Sequence, residues 1–315
     1  MFALRCVGVS LSFFLLLYSV LSLLVGRGWR LVLRRADKWT ARGLADFLFL
    51  LRSFPLAAAV LSTLLLVLPS FLLLEPSVVT EPVGEIPLVL GGACLLLLGA
   101  GVFRAVGAHR RTSRAVSGWL RGATIDSHCY PVPLFRIQTA SPALAVAGGL
   151  SPLVLLSNKA AELLSGRELQ TALRHEVAHV RQRDNLKKML FRFCEVPGMS
   201  SLESAWAEAT EMAADDAAVS NSCEALDLAS ALIKLSRFAP ASASATLATG
   251  LALPAGSALN ARIARLVQWD ESRIERTRTF SWYWTPAAMG ALVCIIATYS
   301  PMLIRMHEIT EWLVR

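Results

Sequence analysis

None of the six cysteines, Cys6, Cys94, Cys129, Cys194, Cys223 and Cys294, stands in a Cys-x-x-Cys pair, and this excludes a cysteine zinc knuckle. The cysteines show no pairing rhythm and three fall in apolar segments, so buried, reduced thiols are expected. Charge is also scarce. Asp, Glu, Lys and Arg make up 17% of the 315 residues against 55% hydrophobic, and the mean hydropathy is +0.52. An ordinary soluble globular protein is thereby excluded, and a membrane protein is expected. Only five histidines are present, so any pattern that uses two of them carries weight.

Long apolar runs fill the amino-terminal third. Residues 7–25 form a run of the roughly 20 residues that a bilayer requires. A signal peptide is disfavoured there, because the run is too long for its apolar region and a basic segment follows where a small-residue cleavage site would stand. Further spans are expected at about 54–74, 86–103 and 282–304, the last flanked by the interfacial aromatics of "SWYWT". The stretch between the first two holds Arg27, Arg30, Arg34, Arg35, Lys38 and Arg42, whereas "EPSVVTEPVGEIP" between the next two has three glutamates and no Lys or Arg. Excess basic residues mark the cytoplasmic side. The formal net charge of +8 thus reads as an orientation signal, with no direct nucleic-acid partner expected. The expected topology is multi-pass in a bacterial-type inner membrane, amino terminus outside and the large polar region inside. The division expected is a membrane region at 1–106, a cytoplasmic domain at 107–280, and a fourth span with a short tail at 281–315.

Within the polar region, "LFRIQTA", "ALAVAGGL" and "LVLLS" are short β-type runs separated by Ser-Pro and Gly-Gly turn signals, which predicts a small sheet. Helical patterns follow at about 166–183, 201–220, 224–238 and 257–268. Residues 239–257, small and containing Pro and Gly, read as a loop.

Ser165 and Glu168 have the capping-box spacing, so a helix is expected to start there and to carry "RHEVAHVRQRD". His175 and His179 then share one face, about 6 Å apart along the axis. Both imidazoles can bind one tetrahedral zinc ion, with Glu176 beside its open position, the His-Glu-x-x-His arrangement of metallopeptidases. A catalytic zinc site needs a third protein ligand. "WAEATEMAADDAAV" offers Glu211 for that role. Asp215, four residues on and on the same face, is placed to accept a hydrogen bond from the free ring nitrogen of a zinc-bound histidine. Glu208 and Asp216 compete for these roles. His109 and His128 lack ligand spacing and read as ordinary residues.

At these residues the chain resembles a known family. "ELQTALRHEVAHVRQRDN" and "TEMAADDAAV", with "SPALAVAGGLSPLVLLS" upstream and "NARIARLV" downstream, are similar to the membrane zinc metallopeptidases of the BlaR/MecR-type β-lactam sensors, over about residues 130–270. The resemblance implies four transmembrane helices around a cytoplasmic α+β gluzincin-type peptidase domain with a small β-sheet. Zinc would be held by His175, His179 and Glu211, and Glu176 would be the general base. The receptors carry a penicillin-binding sensor domain after the last span. This chain stops eleven residues beyond Ile304, so β-lactam sensing of that kind is not expected.

The expected function is that of a zinc endopeptidase acting on a cytosolic or membrane-proximal protein or peptide. By resemblance the substrate is a transcriptional repressor or the chain itself. Where "ALAVAGGL" lies at the sheet edge, an extended substrate can add to it; the sequence leaves open which strand is the edge. A non-proteolytic transducer or scaffold with structural zinc is the alternative, weakened by the absence of an evident fourth ligand. A transporter or channel is disfavoured because the spans hold few ionisable residues.

Overall fold

The computed structural model describes residues 2–33, 39–75, 84–125, 132–140, 142–194, 198–237, 248–250, 257–270 and 298–311. The apolar runs form helices, which satisfy every backbone polar group within their own segment, as crossing a membrane would require. Helix α1 spans Phe2–Leu33, α2 Ala41–Ser62 and α4 Glu85–Trp119. A π-turn at Thr63–Val67 leads α2 directly into α3, Leu68–Leu74. Thr40 starts α2, its Oγ1 accepting from the Gly43 N–H at 3.0 Å.

Among the described residues, three stretches are long and apolar enough to cross a membrane, Phe2–Leu31, Ala41–Leu74 and Glu85–Trp119. Their 30, 34 and 35 residues exceed the roughly 20 that a bilayer needs. The expected spans at 7–25, 54–74 and 86–103 lie inside them. Outward-facing Leu24, Leu50, Leu73, Leu96 and Phe103 are exposed, as suits side chains meeting lipid. The expected fourth span, 282–304, lies outside the described residues except for its end. Residues 298–311 are helical, here α11, and the Tyr299 hydroxyl donates to the Leu65 carbonyl in the π-turn at 2.8 Å.

The spans meet through small residues. A Cβ added at Gly91 on α4 would lie 3.5 Å from the Gly8 Cα on α1. Glycine lets the two backbones approach, and Ser12 Oγ donates to both Gly8 O (2.7 Å) and Pro87 O (3.1 Å).

Beyond the spans lies a five-stranded mixed sheet of order β1-β2-β4-β3-β5. Its strands are Thr124–Ile125, Leu134–Ile137, Leu144–Ala147, Leu153–Ser157 and Ala248–Gly250 in chain order. β2 runs parallel to β4, while β3 is antiparallel to both β4 and β5. The β3–β4 turn requires glycine: Gly148 has φ +90°, and a Cβ there would come within 2.5 Å of the Ser151 carbonyl oxygen. Helices α5 (Asn158–Leu163), α6 (Gly166–Gln182), α7 (Asp184–Phe193), α8 (Ser200–Ala218), α9 (Ser222–Ser236) and α10 (Ser257–Val267) complete the described elements. The main core joins Leu134, Leu144, Val146, Val154 and Leu156 of the sheet to Ala172 and Leu173 of α6, Leu228 and Leu232 of α9 and Leu266 of α10.

Two differences from the expectation lie next to the His-Glu-x-x-His helix. β5 lies inside the stretch read as a loop, where its small residues gave no strand pattern. Helix α7 follows α6 after a single residue, Arg183, in the left-handed conformation (φ 54°, ψ 39°).

The spans and this second region are packed together. Trp29 of α1 and Ala45 and Leu48 of α2 share a cluster with Phe191 of α7 and Leu202 and Trp206 of α8. Arg52, buried in α2, meets Glu203 of α8 through Nε and Nη2 at 2.9 and 2.8 Å. Its Nη2 also donates to the Cys194 carbonyl at 2.7 Å, and Tyr18 Oη donates to the same oxygen at 3.0 Å. On α4, a Cβ at Gly101 would fall 2.5 Å from the Phe193 carbonyl oxygen.

Candidate metal centre

The helix that carries the His-Glu-x-x-His motif begins with the expected capping box: Glu168 N donates to Ser165 Oγ at 3.3 Å and Ser165 N to Glu168 Oε2 at 2.7 Å. Glu168 also bridges to α9, accepting from Ser230 Oγ at 2.5 Å and from Lys234 Nζ at 2.7 Å. Burial would raise its pKa, but Lys234, Ser230 and the Ser165 N–H outweigh it and bring the pKa down to about 2. The start of α6 is thereby fixed in position, and with it the motif two turns further on.

His175 and His179 are both fully buried and face α8, which carries Glu211. Their Nε2 atoms lie 3.1 Å apart. Glu211 Oε2 is 3.5 Å from His175 Nε2, and Oε1 is 3.7 Å from His179 Nε2. Four ligands at 2.0–2.1 Å from a tetrahedral zinc are separated by roughly 3.3–3.4 Å, so these three donors are spaced as ligands of one ion.

Each imidazole is oriented from behind. His175 Nδ1 lies 3.0 Å from Asp215 Oδ1, and His179 Nδ1 lies 2.8 Å from Asp184 Oδ2. His179 Nδ1 is hydrogen-bonded to Asp184, the arrangement that fixes a ligand's tautomer, and His175 Nδ1 is ion-paired with Asp215; the two Nε2 atoms are turned toward the centre. Arg262 of α10 holds the third donor's side of the site. Its Nε and Nη2 donate to Asp215 Oδ2 and Oδ1 at 2.9 and 2.6 Å, and its Nη1 lies 2.9 Å from Glu211 Oε2.

Burial would lower the pKa of His175, but the carboxylates of Asp215 and Glu211 outweigh it and push it up to about 9. Burial would raise Glu211, yet His179, Arg262 and His175 hold it well below the usual carboxylate range. The same opposition brings Asp215 to about 2, with Arg262 the principal countercharge. Glu176 is fully buried and its pKa is raised, burial being the largest cause. Its Oε2 accepts from the Val146 N–H of β3 at 3.1 Å, while its Oε1 has no hydrogen bond.

This donor set fits a divalent transition-metal ion. Glu211 Oε2 is a buried oxygen without a hydrogen bond, its approach to Arg262 being an ion pair only. Two imidazoles and a carboxylate are the ligand types that zinc accepts. A cation among them would satisfy these atoms.

The structure thus brings His175, His179 and Glu211 into one cluster, with Asp215 behind His175 and Glu176 on the β3 side. The rivals lie elsewhere: Glu208 is exposed, and Asp216 pairs with Arg265 at 2.5 Å. His109 is exposed on α4, and His128 lies outside the described residues. Sequence reasoning assigned no role to Asp184 or Arg262. Asp184 closes the quoted motif and Arg262 sits in "NARIARLV", but neither contact is implied by spacing. The edge expected of "ALAVAGGL" is also taken, since β5 pairs with β3 in the register Val146↔Thr249. A cleft of about 370 Å³ lies beside the centre, lined by His179, Asp184, Asn185, Val146 and Gly148 among others.

No family model matches the chain, and no curated protein matches it.

Proposed function

We propose that the protein is a membrane-bound zinc endopeptidase. The observation that carries this reading is the convergence of His175 Nε2, His179 Nε2 and Glu211 on one point, with a fourth residue, the acid Glu176, buried next to them. Three protein ligands leave a position open, as in catalytic sites, whereas structural sites are closed by four. Zinc, when bound, polarises the scissile carbonyl and lowers the pKa of water at that open position. Glu176 takes a proton on its carboxylate and returns it to the leaving amine; its raised pKa suits both halves of that task. Asp215 and Asp184 keep the ligand nitrogens aimed inward, and Arg262 prevents the Glu211 and Asp215 carboxylates from repelling each other.

The resemblance to the BlaR/MecR-type peptidases belongs to this reading, as does a gluzincin fold with four spans. So does the orientation. Trp29, between Arg27 and Arg30, packs on α7 and α8, so these basic residues and the metal centre are at the same end of the spans. Positive-inside bias then assigns that end to the cytoplasm, which favours a cytosolic or membrane-proximal protein substrate such as a transcriptional repressor.

The test is zinc content and casein or repressor cleavage by the full-length protein and by Glu176→Ala. Wild type is expected to bind zinc and cut, and the variant to bind zinc without cutting. Equal cleavage by both would remove Glu176 as the base, and zinc binding without cleavage by either would favour a structural-zinc transducer.

A further inference from the structure

A second set of donors converges at the other end of the spans. Glu75 ends α3, Arg5 lies in the second turn of α1, and His307 and Glu311 are one turn apart on α11. One ligand atom each from Glu75, His307 and Glu311 falls within 4.8 Å of the others. His307 Nε2 is 3.9 Å from Glu75 Oε2 and 3.6 Å from Glu311 Oε1. Those gaps are too long for hydrogen bonds. Ligands around a tetrahedral ion sit roughly 3.3–3.4 Å apart, and the corresponding His-to-Glu gaps in the His175 cluster are 3.5 and 3.7 Å.

The surroundings point the same way. The Glu75 side chain is only 6% exposed, and a buried carboxylate needs compensating charge. Arg5 Nη1 supplies part of it at 3.3 Å from Oε1, on the oxygen not turned to the ring. His307 Nδ1 is buried without a hydrogen bond, and Nε2 is the ring atom turned to both carboxylates. Glu311, whose side chain is 47% exposed, opens the group to solvent and gives an ion a way in.

We propose that Glu75, His307 and Glu311 form a second cation site, selective for a zinc-like transition-metal ion because one donor is an imidazole. Three ligands among the described residues, with Glu311 half exposed, make it an exchangeable site. An ion there would clamp the ends of α3 and α11. It is separate from the His175 centre: Arg52, which touches α8, and Glu75 are joined by roughly 35 Å of nearly continuous helix at 1.5 Å per residue.

The test uses Co²⁺ on the full-length protein in detergent, by equilibrium dialysis and visible absorption. Wild type is expected to bind two ions per chain. His175→Ala/His179→Ala is expected to retain one, and adding Glu311→Gln or His307→Ala to that variant is expected to weaken the remaining ion at least about tenfold. Glu311→Gln, at a half-exposed position, guards against misfolding as the cause, and size-exclusion profiles check each variant. The proposal is overturned if His175→Ala/His179→Ala binds no Co²⁺, or if its binding is indifferent to Glu311 and His307. Neither outcome bears on the peptidase reading, which stands or falls on cleavage and Glu176.

Discussion

The two His–Glu clusters at opposite ends of the spans use similar donors in different surroundings. At the His175 centre both imidazoles are fully buried and backed by carboxylates, and Arg262 bridges Glu211 to Asp215. At the His307 group no carboxylate among the described residues backs Nδ1, and one of the two carboxylates is half exposed. The contrast is one of preorganisation. A site held from behind binds tightly and keeps its geometry through a reaction, whereas a group on helix ends, open to water, is suited to reversible occupancy.

The sharpest way to separate the two is Glu176→Gln. We expect peptide cleavage to fall about 10²- to 10⁴-fold, the usual worth of a general base, with metal content unchanged at both ends; activity assays with metal analysis check this. Next, Asp184→Ala removes the backing of His179 alone. Metal affinity at the His175 centre should fall about 10- to 100-fold while Co²⁺ binding at His307 is unaffected, measured by competition with a chelator. Undiminished affinity at His175 would mean that the carboxylate behind the ring does not distinguish the clusters.

A smaller effect concerns access. β5 covers the β3 edge beside Glu176, and Thr249→Pro deletes a backbone donor in that strand. If β5 competes with substrate for this edge, cleavage should rise by about 1 kcal/mol worth of barrier, roughly fivefold; an unchanged or lower rate in a folded variant would show that substrate binds elsewhere. The smallest effect is on stability. Because Glu168 is held at about 2 in the folded state against an ordinary 4.5, its contribution is present above about pH 4.5 and lost as pH falls toward 2. It is at most about 3 kcal/mol, and Glu168→Gln should flatten that part of the pH–stability curve in denaturant titrations.

Much of this was legible locally. Ser165 and Glu168 announced the start of α6, the four-residue spacing put His175 and His179 on one face, and "EMAAD" put Glu211 and Asp215 on another. The three long helices followed from uninterrupted apolar runs. Asp184 was harder to read, since its return to His179 depends on the left-handed Arg183, a backbone turn that an arginine does not advertise. β5 was read as loop because Ala248, Thr249 and Gly250 carry no apolar alternation; its pairing comes from the exposed N–H and C=O groups of β3.

The amino-acid order alone determined the elements whose cause lies within a few residues: apolar length, helical periodicity, the cap and the histidine pair. Tertiary structure decided which distant groups complete each cluster, bringing Arg262 to Asp215 across 47 positions and His307 to Glu75. Such contacts depend on how helices pack side by side, and packing is a property of surfaces assembled from separate segments, which no single stretch contains.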